Sequence, residues 1–565
     1  MTTIGKGLQS WVNVWKRLKS KKLIARAKVA QQEREVWHSY WDSLARVHIP
    51  RLLGFSSTRT EGTSLEDAIF DGVPMQAARG LANAIGGLLR PEGETWARIV
   101  AQDPELNEND EAMRWLELAT NRLHKALHNP SAKMRQALGE TDLMLVVFGT
   151  GPLWVGENNK RSGLLFQSIP LQNAAVEWDD EGSPIGFFRT RLFNVRQAEM
   201  AFGRNNLGKR AQELINAEDF KSKLTYINIV MPRETKYTNP LLAKNLPYAS
   251  YWIEQDSLHL VQESGFHEFP FVVPRMETAP GENYGRSPAM IALPDGNTLQ
   301  SMGETILIAG QRAAEPPIFA PNDGSFTEAN TFPGGISYYD VELASKMRGN
   351  PIFPLDTGHS LPITRDMQRD TREQVFAAFF RHVLNLPVAG PRMTATEVIE
   401  RREEMIREIG PLFGRLESDY IAPLVERAFN VMLRAGAFGE IPQILAGRDI
   451  QFEYASPVKR TRQLIEREAA KMFRNEILEL QQAGFEDAAD HFNVDEYIRL
   501  QAETGGAPLR VLNTPETVVA KRQQRLEAQQ HQQQLAESQQ GVEIVDTLAG
   551  AAAKGAKAME AENVV

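Results

Sequence analysis

Two helical segments with a stretch of turn-forming residues between them constrain this 565-residue chain more than any other feature. The first opens on Ser287-Pro288, a cap followed by a first-turn proline. It continues through Leu299, Met302, Ile306, Ala309 and Ala313 in one stripe at helical spacing. Pro294 is expected to interrupt it and Pro316-Pro317 to end it. Residues 318–362, rich in Gly, Pro, Asn and Asp, read as a compact insertion with short apolar runs such as 336–339. The second helix, 364–384, is wet in its first turns, where Arg365, Asp366, Arg369, Asp370, Arg372 and Glu373 lie, and dry afterwards along Phe376, Phe379, Phe380 and Val383. One end of this helix must therefore be solvated nearly all round. Leu386, Pro387, Val388, Ala389, Gly390, Pro391 and Arg392 follow, and two prolines with a glycine bar a helix there. A capping box, Thr394 with Glu397, starts a further helix, with bends expected at Pro411 and Pro423 and a stop at Gly436.

Upstream, the chain reads as helices and then strands. Trp37, Tyr40, Trp41, Leu44 and Val47 mark a helix ended by Pro50, and a second runs from Met75 to Leu89. Gly80, Gly86 and Gly87 in that second helix suggest close packing against another element. A third helix spans 115–127, and strands are expected at 145–148, 153–155, 164–169, 225–230 and 248–254. The turn at Asp179-Asp180-Glu181-Gly182 makes 174–178 and 185–190 a hairpin. After Pro457 the chain is helical and charged, with a shorter helix around Tyr497. Beyond Gly505-Gly506 it becomes low in complexity, being glutamine-rich over 521–540 and alanine-rich over 549–558.

Composition excludes several classes. No apolar run reaches the ~20 residues of a spanning helix, and the absence of cysteine removes disulfides and thiolate chemistry. A net charge of -9 argues against general affinity for polyanions. The first thirty residues carry Lys6, Lys16, Arg17, Lys19, Lys21, Lys22, Arg26 and Lys28 without an acid, opposite Trp11, Val14 or Trp15, and Leu18. They lack a secretory leader's apolar core. Docking onto protein is the favoured role, with a nucleic-acid arm or a membrane-surface helix left open.

The motif scan leaves no catalytic constellation. Gly203 to Lys209 has phosphate-loop spacing, but Arg210 stands where a hydroxyl must hold magnesium, and 195–202 reads as helix. His124 and His128 sit four apart on a helix, yet Lys125 replaces the zinc-protease glutamate, so solvent-facing histidines are expected. Glu403-Glu404 and Asp179-Asp180 lie on a charged helix face and in a turn. No catalytic residue, cofactor or metal site is expected.

Three stretches together resemble the portal, or head-to-tail connecting, protein family of short-tailed bacteriophages. The first is Ile69-Phe70-Asp71 with Ala77-Ala78, Leu81-Ala82, Leu89-Arg90-Pro91 and Trp96. The second is Phe148-Gly149-Thr150-Gly151 with 166–170 and Arg189. The third is 387–390 with Met393-Thr394-Ala395-Thr396-Glu397-Val398, Arg401-Arg402-Glu403-Glu404 and Pro423-Leu424. The likeness runs from about Trp37 to Arg525. Gly72-Val73-Pro74 and Ala97 depart from the family pattern.

The resemblance implies an α+β portal fold, mainly helical with a β-rich wing and clip. Its regions would be an N-terminal wing (1–286), a first stem helix (287–316), a clip (317–362), a second stem helix (363–385) and a tunnel loop (386–392). A wing helix with a return strand (393–456), a crown (457–505) and a low-complexity tail or barrel helix (506–565) would follow. It further implies a ring of twelve copies at one capsid vertex, made in the host cytoplasm as a late protein, without a membrane. Double-stranded DNA would pass through without sequence reading. The terminase large subunit, tail adaptor or tail tube, capsid and scaffolding proteins would be partners.

On that pattern the tunnel loop Leu386, Pro387, Val388, Ala389, Gly390, Pro391 and Arg392 would face DNA. Arg365, Arg369 and Arg372 would line the channel, and Ile336, Tyr338, Tyr339, Lys346 and Arg348 would meet clip partners. A non-viral ring or adaptor scaffold without a channel is the alternative, and a nucleotide-driven motor the third reading.

Overall fold

A computed structural model of the chain describes residues 3–57, 62–64, 68–103, 109–158, 162–234, 242–314, 361–384, 407–454, 457–504 and 517–532, with short pieces at 106, 160, 318–319, 353–354, 513 and 550–551. They divide into two compact units. The first comprises Met1–Val100, Leu116–Ile441 and Ile450–Lys459; the second comprises Ala101–Trp115, Pro442–Asp449 and Arg460–Val565.

The first unit is organised on a five-stranded antiparallel meander of β4 (Ala174–Trp178), β5 (Pro184–Asn194), β6 (Lys223–Pro232), β7 (Tyr248–Glu254) and β8 (His259–Phe266), in that spatial order. Side chains alternate across a strand, so neighbouring residues serve opposite faces. Phe188 and Ile229, cross-strand partners, face α1 (Thr3–Glu35), whose Ile24, Ala27 and Ala30 close that cluster. Helix α1 thus docks onto protein, clamped by Lys19–Glu263 at 3.0 Å, Arg26–Glu177 at 2.8 Å and three bonds from Arg34 to the carbonyls of Leu171, Gln172 and Ala174.

On the opposite face, Phe187 and Val230 pack with Ile169 and Phe271, beside a three-stranded sheet of β2 (Leu153–Glu157), β3 (Leu164–Ser168) and β9 (Phe271–Val272). Further along the same face, Phe193 and Tyr226 pack under α6 (Val195–Phe202) and α7 (Lys209–Asn216). The 203–209 segment therefore follows a helix, not a strand, and the Glu254 carboxylate stands against Gly208.

The helical part of this unit comprises α2 (His38–His48), α3 (Val73–Leu89), α5 (Met134–Phe148), α8 (Pro288–Ala314) and α9 (Leu361–Ala378). Helix α4 (Asp110–Leu127) begins in the other unit. Four expectations fail here. Residues 145–148 are helical, because a fully buried run shows no periodicity that separates strand from helix. Pro294 leaves α8 unbroken, and the buried Ala292 and Leu293 beside it supply packing that offsets one lost backbone bond. Of the three glycines in α3 only Gly86 meets another element, the Asp142 carboxylate; a Cβ at Gly80 or Gly87 would meet nothing within 4 Å. The helix from 364 stops at Ala378, where Phe380 turns to φ 57 before the short α10 (Arg381–Leu384).

The Phe148-Gly149-Thr150-Gly151 motif acquires a physical reason. Gly149 caps α5 at φ 76, and a Cβ there would come within 2.2 Å of the Gly285 carbonyl oxygen. Thr150 Oγ1 accepts from Gly285 N at 2.9 Å, and Ser287 Oγ donates to Val147 O at 2.8 Å. The chain thus crosses itself at backbone distance just where α8 starts, and Ser287 is the cap its sequence predicts.

Residues 407–416 are helical through Pro411 and run into a π-turn, Glu417–Ile421, before α12 (Ala422–Arg434) begins with Pro423 in its first turn; the 407–416 helix is α11. Gly436 ends α12 at φ 69, with Ala437 N bonded to Met432 O. Strand β12 (Ile450–Tyr454) pairs with β1 (Ala97–Ala101). Strands β10 (Ile318–Phe319) and β11 (Phe353–Pro354) pair as a two-stranded antiparallel ladder.

In the second unit, α13 (Pro457–Gln482), which starts in the first, and α14 (Val494–Thr504) are held by Arg467 Nε to Gln501 Oε1 at 3.0 Å and by Phe473, Phe492 and Tyr497 in ring contact. Arg522, on the helical stretch 517–532, grips the Asp495 carboxylate with two bonds of 2.6 and 2.7 Å.

Candidate functional site

Helices α8 and α9 are neighbours, and the device that fixes their register is Asp71. Its carboxylate, 2% exposed, accepts from Arg372 Nε at 2.9 Å and Gln368 Nε2 at 3.2 Å on α9, and from Val73 N at 2.9 Å at the start of α3. From the other side Gln300 of α8 takes the Phe70 and Asp71 amides at 2.8 and 3.0 Å and donates to Asp71 O at 2.7 Å. Three helices thus meet on one residue of the loop before α3. Gly303 makes the approach possible, since a Cβ there would lie 2.8 Å from Phe70 Cβ. Neither Asp71 nor Gln300 was assigned a role by sequence reasoning. The quoted Ile69-Phe70-Asp71 motif contained the residue, but its partners lie 229 to 301 residues away.

The three candidate arginines of α9 fall into two environments. Arg365 and Arg369 are exposed, Arg369 in a 3.7 Å pair with Glu373 one turn on. Arg372 turns inward to Asp71 and is half-exposed. Together with Phe70, Gly303, Ile306, Leu307, Asp366 and Gln368 they line an open groove of about 630 Å³. The remaining site residues, Leu386, Pro387, Val388, Ala389, Gly390, Pro391, Arg392, Ile336, Tyr338, Tyr339, Lys346 and Arg348, lie outside the described residues, as do Thr394 and Glu397.

Behind α9 sits His48, almost fully buried, with its ring 5.6 Å from that of Phe379 and Nδ1–H donating to Leu44 O at 3.2 Å. Arg381 lies over the Phe376 ring at 3.9 Å, bracing the turn at Phe380. Burial holds the His48 imidazole at about 4, and the Leu44 bond recovers only part of the loss. In the unfolded chain the ring titrates near ~6.5. Between these values the unfolded chain binds the extra proton, so stability is whole above about pH 6.5 and falls as pH drops towards 4. The loss is expected to reach about 3 kcal/mol. Denaturant titrations at neutral and acidic pH check this, and His48→Leu should show a smaller acid loss than the wild type.

A second polar cluster ties α3, α5 and the π-turn. Arg90 is bonded to Asp142 Oδ2, Tyr420 Oη donates to Asp142 Oδ1 at 2.9 Å, and Arg90 lies 5.2 Å from the Tyr420 ring centre. All three are buried. Burial opposes the Arg90 charge, but the Asp142 carboxylate outweighs it and the guanidinium stands above its ordinary value. Burial raises the Asp142 carboxyl, an effect that Arg90 and Tyr420 only partly offset.

His124, on α4, and His128, just past its end, are not alike. His128 is exposed, whereas His124 turns in, edge-on to Trp96 at 5.3 Å and bonded to Ala97 O at 2.9 Å, because the β1 strand passes over its face. Among the described residues no group of three or more His, Asp, Glu or Cys is placed to hold a metal ion, and no helix is long and apolar enough to cross a membrane.

Residues 20–512 match the model of a family described as bacteriophage head to tail connecting protein. The probable portal protein of Bordetella phage BPP-1 is 27% identical over 544 residues, covering 94% of this chain and 95% of the relative. The portal protein of Salmonella phage epsilon15 is 25% identical over 524 residues, covering 92% and 93%. Among solved structures, the neck of an empty gene transfer agent particle aligns over 78% of this chain and 94% of that chain at 12% identity, with a TM-score of 0.38. With a family match reaching from the docked part of α1 to beyond α14, the chain belongs to the bacteriophage head-to-tail connecting protein family.

Proposed function

We propose that this structural connector is one subunit of a portal ring of twelve copies at a capsid vertex, through which double-stranded DNA is packaged and ejected, and that it performs no chemistry itself. The observation that carries the reading is the near end-to-end match to two proteins named as portal proteins. In this reading 287–316 and 363–385 are the stem, 317–362 the clip that meets terminase and later the tail adaptor, and 386–392 the loop nearest DNA. Residues 1–286 with 393–456 form the wing, 457–505 the crown, and 506–565 a tail or barrel helix facing capsid and scaffolding proteins.

A channel that passes a genome must hold phosphate weakly, because each fixed contact adds salt-dependent affinity and hence drag. The charges on α9 suit this: Arg369 pairs with Glu373 and Arg372 with Asp71, leaving a wet wall of low net field. Electron microscopy of the purified protein is expected to show rings with an axial hole; a protein that stays monomeric at high concentration would refute the reading. Deletion of Val388 to Gly390 is expected to leave rings intact while shortening or releasing packaged DNA. Gel sizing of DNA from purified particles checks this, and an unchanged genome length would remove the loop from the DNA path.

A further inference from the structure

The face of the five-stranded sheet between its two apolar clusters carries a polar row that the proposed channel does not use. Across it lie Ala174, Arg189, Asn228, Trp252 and Gln262, one residue from each strand in direct register. Arg191 heads the next row, opposite Tyr226 and then Glu254, with its guanidinium over the Phe193 ring at 4.5 Å. Arg189 is half-buried and Arg191 exposed, and among the described residues neither arginine has a carboxylate partner. The acid in these rows, Glu254, stands two strands from Arg191 beyond the Tyr226 ring, and its Oε2 is taken by Ser257 at 2.7 Å. Burial, and after it the like charge of Arg191, lowers the Arg189 guanidinium to about 10; burial lowers that of Arg191 as well.

Other cations packed on this sheet are answered within the chain: Arg26 has Glu177, Arg233 and Lys19 share Glu263, and Arg34 gives three bonds to backbone carbonyls. A shielded guanidinium left without a counter-charge is unfavourable, and planar forks of this kind select carboxylates. The chain has 72 acids against 63 lysines and arginines, so the surface of a neighbouring copy is on balance acidic. We propose that Arg189 and Arg191, floored by Asn228 and Trp252, are the receiving half of a contact between copies, filled by an acidic side chain of the adjacent subunit. The inference rests on the ring reading and adds to it a defined surface.

The test places a photo-reactive amino acid at position 262, at the exposed end of the row, in rings assembled from equal amounts of isotope-labelled and unlabelled chains. Mass spectrometry should find mixed-label cross-links to a peptide containing Asp or Glu. Arg189→Gln with Arg191→Gln should reduce that cross-link and lower by roughly twofold the salt concentration at which rings come apart, while the paired Lys variants, which keep the charge and lose the planar fork, fall between these and wild type. Rings that form normally but give only same-chain cross-links, or cross-links to added duplex DNA, overturn the proposal. A glutamine variant that fails to fold by circular dichroism does not protect it, since the wild-type cross-link decides alone. Absence of wild-type rings would instead refute the ring reading itself.

Discussion

Asp142→Ala is expected to destabilise the first unit by about 3–5 kcal/mol, the largest loss of any single substitution considered. Removal of the carboxylate leaves the Arg90 guanidinium buried, with the Tyr420 hydroxyl as its remaining polar neighbour in the cluster. The penalty comes from that stranded charge more than from the lost bond. Tyr420→Phe removes one hydrogen bond and should cost about 1–1.5 kcal/mol. Chemical denaturation of both variants and of the double variant completes a cycle. Because all three groups form one network, the double variant is expected to fall short of the sum. An additive result would show that Tyr420 acts independently of the pair.

Asp71→Ala should cost about 2–3 kcal/mol, a figure already discounted for the partial exposure of Arg372. Its consequence reaches further than the energy. Asp71 is where α3, α8 and α9 are held in register, so its loss frees the two long helices to slide against each other. Amide exchange along α8 and α9 should accelerate in Asp71→Ala while exchange in β5 to β7 stays slow. Gln300→Ala should reproduce the effect on α8 alone, since Gln300 reads the backbone of residues 70 and 71 and not the carboxylate. Equal acceleration everywhere would mean global unfolding and would remove the clasp as a local device.

What was legible in the amino-acid order was local. Ser287-Pro288 set the start of α8, Gly436 the end of α12, and the Asp179 turn the β4–β5 hairpin, where Ser183 N donates to Asp179 Oδ1 at 2.6 Å. Each depends on groups within a few residues, so the pattern suffices. Failures came where burial erased the pattern. Residues 143–148 are buried on every side and gave no period to read, and α9 ends where Phe379 packs against His48, with no helix-breaking residue nearby. The arginines of α9 were legible as a charged face, but which of them is neutralised from within was not.

By itself the sequence determined the order of helices and strands, the caps and turns that bound many of them, and the family, because short-range sterics, periodicity and motif spacing are written along the chain. The tertiary structure alone decided that Asp71 clasps three helices, that Arg90, Asp142 and Tyr420 share one buried site, and that Arg189 lacks an answering acid among the described residues. Those outcomes hinge on which groups lose their water together, and residues as much as 301 positions apart meet only when the chain has folded.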